Sequence, residues 1–568
     1  MKEVLIIGLD GATPDLVFPW AKEGKLPNLA KLINNGVSGE LKSTMPPLTA
    51  PAWTSFMTGK NPGKHGLFHF VARPRDNYDY VPVTAKDNNA KTIWSILSEH
   101  GKTVGVMQVP MTYPPEKVKG FIVSGLGTPS PDSEFTYPAN LREKLLKDFK
   151  FKIQSTEIYR KNNEDKFLKD LEYTEQKKAE VTKYLMEHYD WNCFMVVFMM
   201  TDIVQHFFWK DMDTKHPRHD LTFRKKRKVG VSSDRAKKYG NAILNCYQKL
   251  DAIIGDLLKL VDENTTVIIM SDHGFGPLYK ELHLNYWLRS KGLQNYMDSG
   301  MIKGKHWLLK KGLSFEGLGE LTAKIKLRGV SKYLPKKIIS AIPKRDALSG
   351  IDWSKTKVYS FGNLGMIYIN LKGREPEGIV EPGLEYDELR EYIIKELYEL
   401  KDPETNKKIV DRIYKREEIY FGPCVDNAPD LLVVTDMTYQ EKATFGDFLV
   451  NTVGDIEEKD VRMRRSGQHR MNGIFIMKGK NIQKHKEIKN AEIIDLAPTI
   501  LYLIDVPIPQ DMDGKVLESA FESDYLKSNL IQYEEVSGLI KKKDSSHFMS
   551  EEDEEKVKER LKALGYFD

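Results

Sequence analysis

The amino-acid sequence predicts an α/β fold in which a mostly parallel central sheet is flanked by helices. Three unbroken apolar runs carry this prediction, at residues 4–9, 194–200 and 266–270. Runs of that length, rich in β-branched residues, favour strands that are buried on both faces, as in a parallel sheet covered by helices. Segments with apolar residues at helical spacing alternate with these runs, for example at residues 27–33 and 234–262. Such segments are typical of helices that pack on a sheet.

Each apolar run is followed closely by an aspartate, at Asp10, Asp202 and Asp272. The carboxyl ends of parallel strands share one edge of the sheet, and ligands bind at that edge in open α/β folds. A single aspartate at the end of a strand has a simpler explanation, because aspartate is common where a strand turns. Three of them together predict a shared site.

A threonine near the start of a helix is a second candidate for this site. Pro51 suits the first turn of a helix, because the missing N–H of proline is no loss there, and this places Thr49 at or just before the helix N-terminus. The free N–H groups and the helix dipole at that position favour a bound phosphate. A role of Thr49 as a helix cap is the alternative.

Histidines add metal-ligating groups to the carboxylates. Asp202 and His206 are four residues apart, so a helix would place them on one face, a spacing that suits one metal ion. The predicted site consists of Asp10, Thr49, Asp202, His206, Asp272, His273 and His469. Carboxylates and imidazoles without thiolates suit Zn²⁺ or Mn²⁺, and seven ligands are about right for two ions.

Several different short motifs follow one another along the chain. They are Gly8–Gly11, Leu48–Pro51, Met57–Gly59, Pro62–Gly66, Asp202 with His206, Ser271–Gly274, Gly467–His469, Ile494–Thr499 and Asp511–Gly514. In this order they resemble the motifs of the alkaline phosphatase superfamily, and most closely those of the type I phosphodiesterase/nucleotide pyrophosphatase family. The motifs fall within residues 1–276 and 465–517, so the resemblance does not extend to the segment between them.

The resemblance implies which metal ion each of the seven residues binds and which residue is the nucleophile. One ion is expected on Asp10, Thr49, Asp272 and His273, and the other on Asp202, His206 and His469. Thr49 is expected to be the nucleophile, which forms a covalent phosphothreonine that water then hydrolyses. The implied activity is that of a metal-dependent hydrolase of phosphate esters, of the phosphodiesterase or nucleotide pyrophosphatase kind, with a small-molecule substrate.

One departure from the family pattern leaves the substrate open. Relatives that act on nucleotides place an asparagine shortly after the nucleophile, where this chain has Ala52 and Trp53. The Trp53 ring is a candidate for packing on an apolar or base-like substituent of the substrate. A phosphomonoesterase, a sulfatase and a phosphonate hydrolase on the same core are alternatives. A binding protein without catalysis is a further alternative, and the complete ligand set argues against it.

The chain is expected to divide into a core with an insertion. Residues 1–276 and 465–525 are predicted to form the catalytic core, and residues 277–464 an inserted cap. Residues 526–568 are a tail whose helix at 551–564 is predicted to pack as a strut on the surface. Three further histidines lie near the motifs, and we expect structural or rim roles for His65, His69 and His216.

Charge and cysteine usage bound the partners and the compartment. The formal net charge of +5 is small and indicates no nucleic-acid polymer as partner. The stretch 303–345 is both basic and amphipathic, which fits either a solvated pair of cap helices or a contact with an anionic lipid or polyanionic ester. Three scattered cysteines, a first strand that starts at Val4 and the lack of a long apolar stretch predict a cytoplasmic protein.

Overall fold

The computed structural model describes residues 3–73, 76–160, 162–219, 234–297, 348, 350–436, 438–442, 449–451, 465–535 and 549–566. A sheet of nine strands forms the centre of the fold. In chain order its strands are β1 (Glu3–Leu9), β2 (Val37–Lys42), β3 (Val104–Met107), β4 (Gly120–Val123), β5 (Thr136–Tyr137), β6 (Cys193–Phe198), β7 (Thr265–Met270), β8 (Asn472–Lys478) and β9 (Lys486–Glu492).

The spatial order of the strands is β9-β2-β8-β7-β1-β6-β3-β4-β5. The five neighbours from β7 to β4 run parallel, while β8 is antiparallel to both β2 and β7, and β5 is antiparallel to β4. The predicted α/β fold with a mostly parallel central sheet is therefore confirmed. The three strands that lead to the aspartates, β7, β1 and β6, lie side by side.

Apolar side chains cover the sheet on both faces. Along β1, Val4 and Ile6 belong to one buried cluster, and Leu5 and Ile7 belong to another. Because successive side chains of a strand point to opposite faces, the two clusters lie on opposite faces of the sheet. This double burial explains why the strand sequences are apolar at every position.

Sixteen α-helices are present among the described residues. They are α1 (Pro14–Lys22), α2 (Pro27–Asn34), α3 (Thr49–Thr58), α4 (Pro62–His65), α5 (Ile93–Glu99), α6 (Leu141–Phe149), α7 (Glu164–His188), α8 (Met200–Met212), α9 (Asp234–Tyr239), α10 (Ala242–Leu257), α11 (Leu284–Ser290), α12 (Leu384–Tyr398), α13 (Arg416–Ile419), α14 (Leu496–Leu503), α15 (Ser523–Ser528) and α16 (Glu551–Leu564). Within this part of the chain, no helix is both long and apolar enough to cross a membrane.

The predicted insertion contains β structure of its own. Strands Val358–Ser360, Met366–Ile369, Leu431–Thr435 and Val410–Lys415 form an antiparallel sheet in that order. Its inner face packs in a separate apolar cluster, which includes Trp287, Ile367 and Val433. The domain boundaries at residues 276 and 464 stay a prediction. The basic stretch 303–345 lies outside the described residues.

Smaller strands complete the fold. Gly274–Pro277 pairs with Gly467–Arg470, and Lys280–His283 pairs with Tyr439–Lys442 and Leu449–Asn451. Val71–Ala72 pairs with Val81–Pro82, and Ile508–Pro509 pairs with Tyr533–Glu534. The first of these pairs matters most for the site, because it sets His469 opposite Phe275, two residues after His273.

The C-terminal helix α16 has the predicted bounds and packs two apolar side chains on the core. The sequence predicts a strut on the surface, because the helix is strongly charged. Val557 and Leu561 pack in the main core, and Tyr566, just after the helix, is buried as well. The residues that follow this helix therefore reach the interior, which a charged helix alone does not indicate.

Candidate metal centre

The structure brings the three carboxylates together at one edge of the sheet. Asp10 directly follows strand β1, and Asp272 lies two residues after the adjacent strand β7. Asp202 lies in the first turn of α8, just after β6. All three side chains are fully buried. Three buried carboxylates in one place repel one another unless a positive charge lies between them.

Each carboxylate has one anchored oxygen and one oxygen without a hydrogen bond. Trp53 Nε1 donates to Asp10 Oδ2 at 2.8 Å, the Gly11 N–H donates to Asp272 Oδ1 at 3.2 Å, and Tyr566 Oη donates to Asp202 Oδ2 at 2.6 Å. The other oxygens, Oδ1 of Asp10, Oδ2 of Asp272 and Oδ1 of Asp202, are buried and accept no hydrogen bond. Unpaired buried carboxylate oxygens of this kind fit a cation that would bind them.

The three predicted histidines share a second pattern. Nδ1 of His206 lies 3.1 Å from the carbonyl oxygen of Gly467, Nδ1 of His273 lies 3.0 Å from that of Gly274, and Nδ1 of His469 lies 3.0 Å from that of Pro47. A carbonyl oxygen only accepts, so each Nδ1 carries the proton and each Nε2 is unprotonated, with that of His206 accepting a hydrogen bond from Arg465. A hydrogen bond from one ring nitrogen to a carbonyl is the usual support of a metal-ligating histidine.

The ligand atoms of Asp202, His206 and His469 form a tight triangle. Oδ1 of Asp202 lies 3.0 Å from Nε2 of His469 and 3.3 Å from Nε2 of His206, and the two nitrogens are 3.1 Å apart. Two ligands of a tetrahedral zinc ion lie about 3.3–3.5 Å apart, since each is about 2.0–2.2 Å from the ion. The triangle is therefore of a size that fits one ion.

The second set is centred on His273. Its Nε2 lies 3.3 Å from Asp272 Oδ2, 3.7 Å from Asp10 Oδ1 and 3.3 Å from Thr49 Oγ1. Asp10, Asp272 and His273 form one cluster that could hold a metal ion, and Asp202, His273 and His469 form another. His273 belongs to both clusters because its ring stacks on that of His469, with ring centres 3.7 Å apart. The contact of His469 with Asp202 is common to both groupings, so the division of the ligands between two ions stays a prediction from the family resemblance.

The electrostatic state of the centre also fits bound cations. Burial raises the pKa of Asp10 well above its ordinary value, and the neighbouring Asp272 and Asp202 raise it further. Burial raises the pKa of Asp272 to about 6. Burial also lowers the pKa values of His206 and His469 to about 4, so both imidazoles are neutral at pH 7. Neutral imidazoles and buried carboxylates are a donor set for a divalent ion.

Thr49 is the first residue of α3, with Pro51 in the first turn, as the sequence predicts. Its hydroxyl is fully buried at the centre, and Oγ1 lies 3.3 Å from His273 Nε2. Leu48 occupies the cap position, so Thr49 is not the N-cap residue. The first turn of α3 presents backbone N–H groups beside this hydroxyl, which favours an anionic ligand there.

Trp53 does not have the role considered for it from the sequence. Its ring is fully buried and packs edge-on against Phe56, with ring centres 5.8 Å apart. The ring also lies so close to Gly8 that a side chain at Gly8 would collide with it, at 2.6 Å from a Cβ atom. The hypothesis that Trp53 packs on a substrate is therefore wrong for this structure, because the residue faces the core and holds Asp10.

Two residues of the centre escape sequence reasoning. Tyr566 holds Asp202, as described above. Arg465 Nη2 donates to His206 Nε2 at 2.8 Å and to the Leu564 carbonyl oxygen at 2.6 Å. The sequence contains one signal for Arg465, since it stands four residues before His469, but no signal for Tyr566.

The three histidines near the motifs, His65, His69 and His216, are not among the predicted ligands. His65 Nε2 contacts Ser55 Oγ at 2.9 Å, and His216 Nε2 lies 2.9 Å from the Leu278 carbonyl oxygen. His69 is buried beside Phe361. These contacts agree with the structural roles expected for them.

The sheet-edge arrangement of carboxylates, imidazoles and a hydroxyl is the one that the resemblance to the alkaline phosphatase superfamily leads us to expect. A family model described as type I phosphodiesterase / nucleotide pyrophosphatase matches residues 4–453. The chain therefore belongs to the type I phosphodiesterase / nucleotide pyrophosphatase family, and it is a phosphoric ester hydrolase. The match includes six of the seven predicted ligands and ends before His469. It also runs through most of the segment between residues 276 and 465, which the motifs were expected to leave uncovered, and it ends before the second group of motifs at 465–517.

The chain is similar to solved structures at low sequence identity. Human ectonucleotide pyrophosphatase/phosphodiesterase 5 is 14% identical, with a TM-score of 0.50, and the match covers 92% of this chain and 100% of that chain. Phosphonoacetate hydrolase from Sinorhizobium meliloti 1021, in complex with phosphonoformate, is 13% identical with a TM-score of 0.49, and the match covers 89% of this chain and 95% of that chain. No curated protein matches the sequence.

Proposed function

We propose that this chain is a metal-dependent phosphodiesterase or nucleotide pyrophosphatase that acts through a phosphothreonine at Thr49. One ion would be held by Asp10, Thr49, Asp272 and His273, and the other by Asp202, His206 and His469. The observation that carries the proposal is the shared pattern of six side chains. Each carboxylate has one anchored oxygen and one unpaired oxygen, and each imidazole has Nδ1 bonded to a carbonyl and Nε2 directed to the same centre.

When bound, two divalent ions would lower the pKa of a hydroxyl or water and neutralise charge on phosphoryl oxygens. The residues of the chain then perform a double displacement. Thr49 loses its hydroxyl proton to solvent, and Oγ1 attacks phosphorus in line, so that a bond to phosphorus forms and the bond from phosphorus to the leaving oxygen breaks. With a diester, the phosphoryl group on Thr49 keeps the second ester substituent of the substrate. Water then attacks this phosphorus, which releases a phosphate monoester and restores the hydroxyl. The burial of the centre excludes bulk water, which strengthens every charge interaction within it.

A cleft of about 400 Å³ supplies a place for the substrate next to this centre. Core residues such as Met45 and Pro47 line one side of the cleft, and Leu364 and Val433 of the insertion line the other. His469 also lines it, so the cleft reaches the ligand set. We propose that a small phosphate ester binds there, with the insertion contributing the walls that select its substituent.

Other properties rest on the sequence and stay proposals. Three free cysteines, two of them buried, agree with a reducing compartment, and we propose the cytoplasm. Zinc is the proposed ion, with manganese as the second choice. The contact of residues 303–345 with an anionic lipid or polyanionic ester is a proposal that only the sequence supports.

Replacement of Thr49 tests the proposed nucleophile. Thr49→Ala removes one hydroxyl, and we expect it to lower turnover of bis(4-nitrophenyl) phosphate by at least about 10³-fold while two ions still bind with reduced affinity. Thr54→Ala is the matched control in the same helix, because the Thr54 hydroxyl is also buried and donates to the Ala50 carbonyl oxygen. Near-normal turnover by Thr49→Ala would show that another group is the nucleophile.

A comparison of esters tests the substrate class. We expect the purified, metal-loaded protein to cleave phosphate diesters and dinucleoside pyrophosphates faster than phosphate monoesters, as in the family to which it belongs. Rates on sulfate esters and phosphonates test the other activities known on the same core. A clear preference for monoesters would refute the proposed diesterase activity and leave the nucleophile unaffected.

A further inference from the structure

The C-terminal segment supplies a donor to the metal centre. The Tyr566 hydroxyl lies 2.6 Å from Asp202 Oδ2, and the two side chains are 2% and 0% exposed. The opposite oxygen of Asp202, Oδ1, is the atom that faces His469 and His206 at 3.0 and 3.3 Å. The hydroxyl therefore bonds the oxygen that the imidazoles do not contact.

Contacts from both the core and the insertion hold Tyr566 in this position. Its ring packs on that of Phe70, with ring centres 4.6 Å apart. The carbonyl of the preceding Gly565 accepts a hydrogen bond from Asn363 Nδ2 at 3.3 Å. Arg465 joins the end of α16 to the centre, because one of its nitrogens contacts both Leu564 and His206. These contacts fix the ring, so the hydroxyl has little freedom to leave Asp202.

The contact completes a pattern that the other two carboxylates already show. An indole N–H holds Asp10, and a backbone N–H holds Asp272, each by the oxygen that does not face the centre. The donor Trp53 lies in α3, and the donor Gly11 lies two residues after strand β1, so both belong to the first 60 residues of the chain. For Asp202 the corresponding donor comes from 364 residues further along the chain.

We propose that Tyr566 is a positioning residue that orients the Asp202 carboxylate toward the second ion. The inference rests on the proposed metal pair and adds a residue to it. A carboxylate with one oxygen fixed by a buried donor presents the other oxygen in one direction, and a hydrogen bond to a ligand is the usual way to hold its geometry. Without the donor, Asp202 rotates, and the triangle it forms with His206 and His469 opens.

Metal affinity of the Tyr566→Phe variant tests this role. The substitution keeps the ring and its packing on Phe70 but removes the hydroxyl. We measure binding of Zn²⁺ by competition with a chelator, without substrate, and expect one of two ions to bind about 10-fold more weakly or worse. We also expect kcat to fall more than KM rises, because the buried Tyr566 hydroxyl contacts Asp202 and does not line the proposed substrate cleft. A Tyr566→Ala variant should show the same loss of metal affinity.

Tyr386→Phe is the matched control. The Tyr386 hydroxyl also donates to a buried aspartate at 2.6 Å, Asp430 Oδ1, but in the insertion and away from the centre. The Tyr386→Phe variant loses a comparable hydrogen bond, and we expect it to bind both ions with parental affinity. Measurements are made at a temperature at which circular dichroism shows both variants folded, so that loss of fold does not imitate loss of a ligand.

Each outcome decides the inference. If Tyr566→Phe binds both ions with parental affinity, the positioning role is wrong. If this variant cleaves esters faster than the parent, the contact closes the site instead of orienting Asp202, and the inference is also wrong. If the parent binds two ions and the variant loses one, but neither cleaves phosphate esters, the inference stands and the proposed function fails.

Discussion

The indole Nε1 of Trp53 donates a hydrogen bond of 2.8 Å to Asp10 Oδ2. Trp53 stands four residues after the proposed nucleophile, near the position where relatives that act on nucleotides place an asparagine. In this chain Trp53 holds the Asp10 carboxylate by a hydrogen bond and is not a substrate contact. Any contact with a non-bridging phosphate oxygen must come from another group, and the first turn of α3 is available for it.

The first prediction concerns this hydrogen bond. Trp53→Phe leaves Asp10 Oδ2 buried without a donor, which costs about 1–3 kcal/mol of stability and lowers metal affinity by about 10- to 100-fold. Trp94→Phe is the control, because Trp94 is equally buried in the same cluster and its Nε1 has no hydrogen bond. Chelator competition measures the affinities. Equal metal affinity in the two variants would contradict the assigned role of Trp53.

The second prediction concerns Gly11, whose φ angle of 66° is in the left-handed region. A Cβ atom at Gly11 would lie 3.1 Å from Asp202 Cα and 3.2 Å from Asp202 Cβ. We expect Gly11→Ala to lose about 1–2 kcal/mol through backbone strain and to lose about 10- to 100-fold in kcat/KM through displacement of Asp202.

Gly24→Ala is the control for that strain. Gly24 has a φ angle of 75°, and a Cβ atom there meets nothing within 4 Å. The two variants should therefore lose similar stability in urea denaturation, and only Gly11→Ala should lose activity. Similar activities for both would show that Gly11 does not support the position of Asp202.

The third prediction concerns stability in acid. Burial, followed by the charge of Lys60, lowers the pKa of His65 from its ordinary 6.5 to about 3. Between these values the unfolded chain binds a proton that the folded chain does not bind. Stability must therefore fall as the pH falls below about 6.5, with a slope of up to about 1.4 kcal/mol per pH unit from this residue. Above that pH the contribution is constant.

Urea denaturation at about pH 4.5, 5.5 and 7 measures this slope. His65→Gln should reduce the slope, because the variant has no imidazole to protonate on unfolding. His188→Gln, at an exposed position on α7, is the control and should leave the slope unchanged. A parental slope in His65→Gln would mean that other groups account for the acid sensitivity.

The sequence predicts the parts of the centre that local patterns encode. Apolar runs buried on both faces identify the strands before Asp10, Asp202 and Asp272, and the parallel direction of those strands places the three side chains at one edge. The position of Pro51 likewise identifies the helix start at Thr49. In these cases the same local pattern determines both the secondary structure and the direction of the functional side chain.

The donors to the carboxylates have no such local pattern. Trp53 lies in an apolar helix, and nothing in its neighbours shows that its N–H faces Asp10. Tyr566 follows a charged helix and reaches Asp202 only because α16 packs against the core and the insertion. Tertiary packing alone decides these contacts, so they become visible only in the structure. The direction of β8, antiparallel to both of its neighbours, is another property of this kind.

The most direct test of the account is to identify the phosphorylated residue during turnover. The metal-loaded protein is mixed with excess diester, quenched in acid within one turnover, digested and analysed by mass spectrometry, with a chelator-treated sample in parallel. We predict that the phosphoryl group of the diester, with its remaining ester substituent, is attached to Thr49 in the loaded sample and absent in the chelated one, together with two bound ions per chain before mixing. This adduct on a different residue, its presence after chelation, or full activity with a single ion or none would contradict the account.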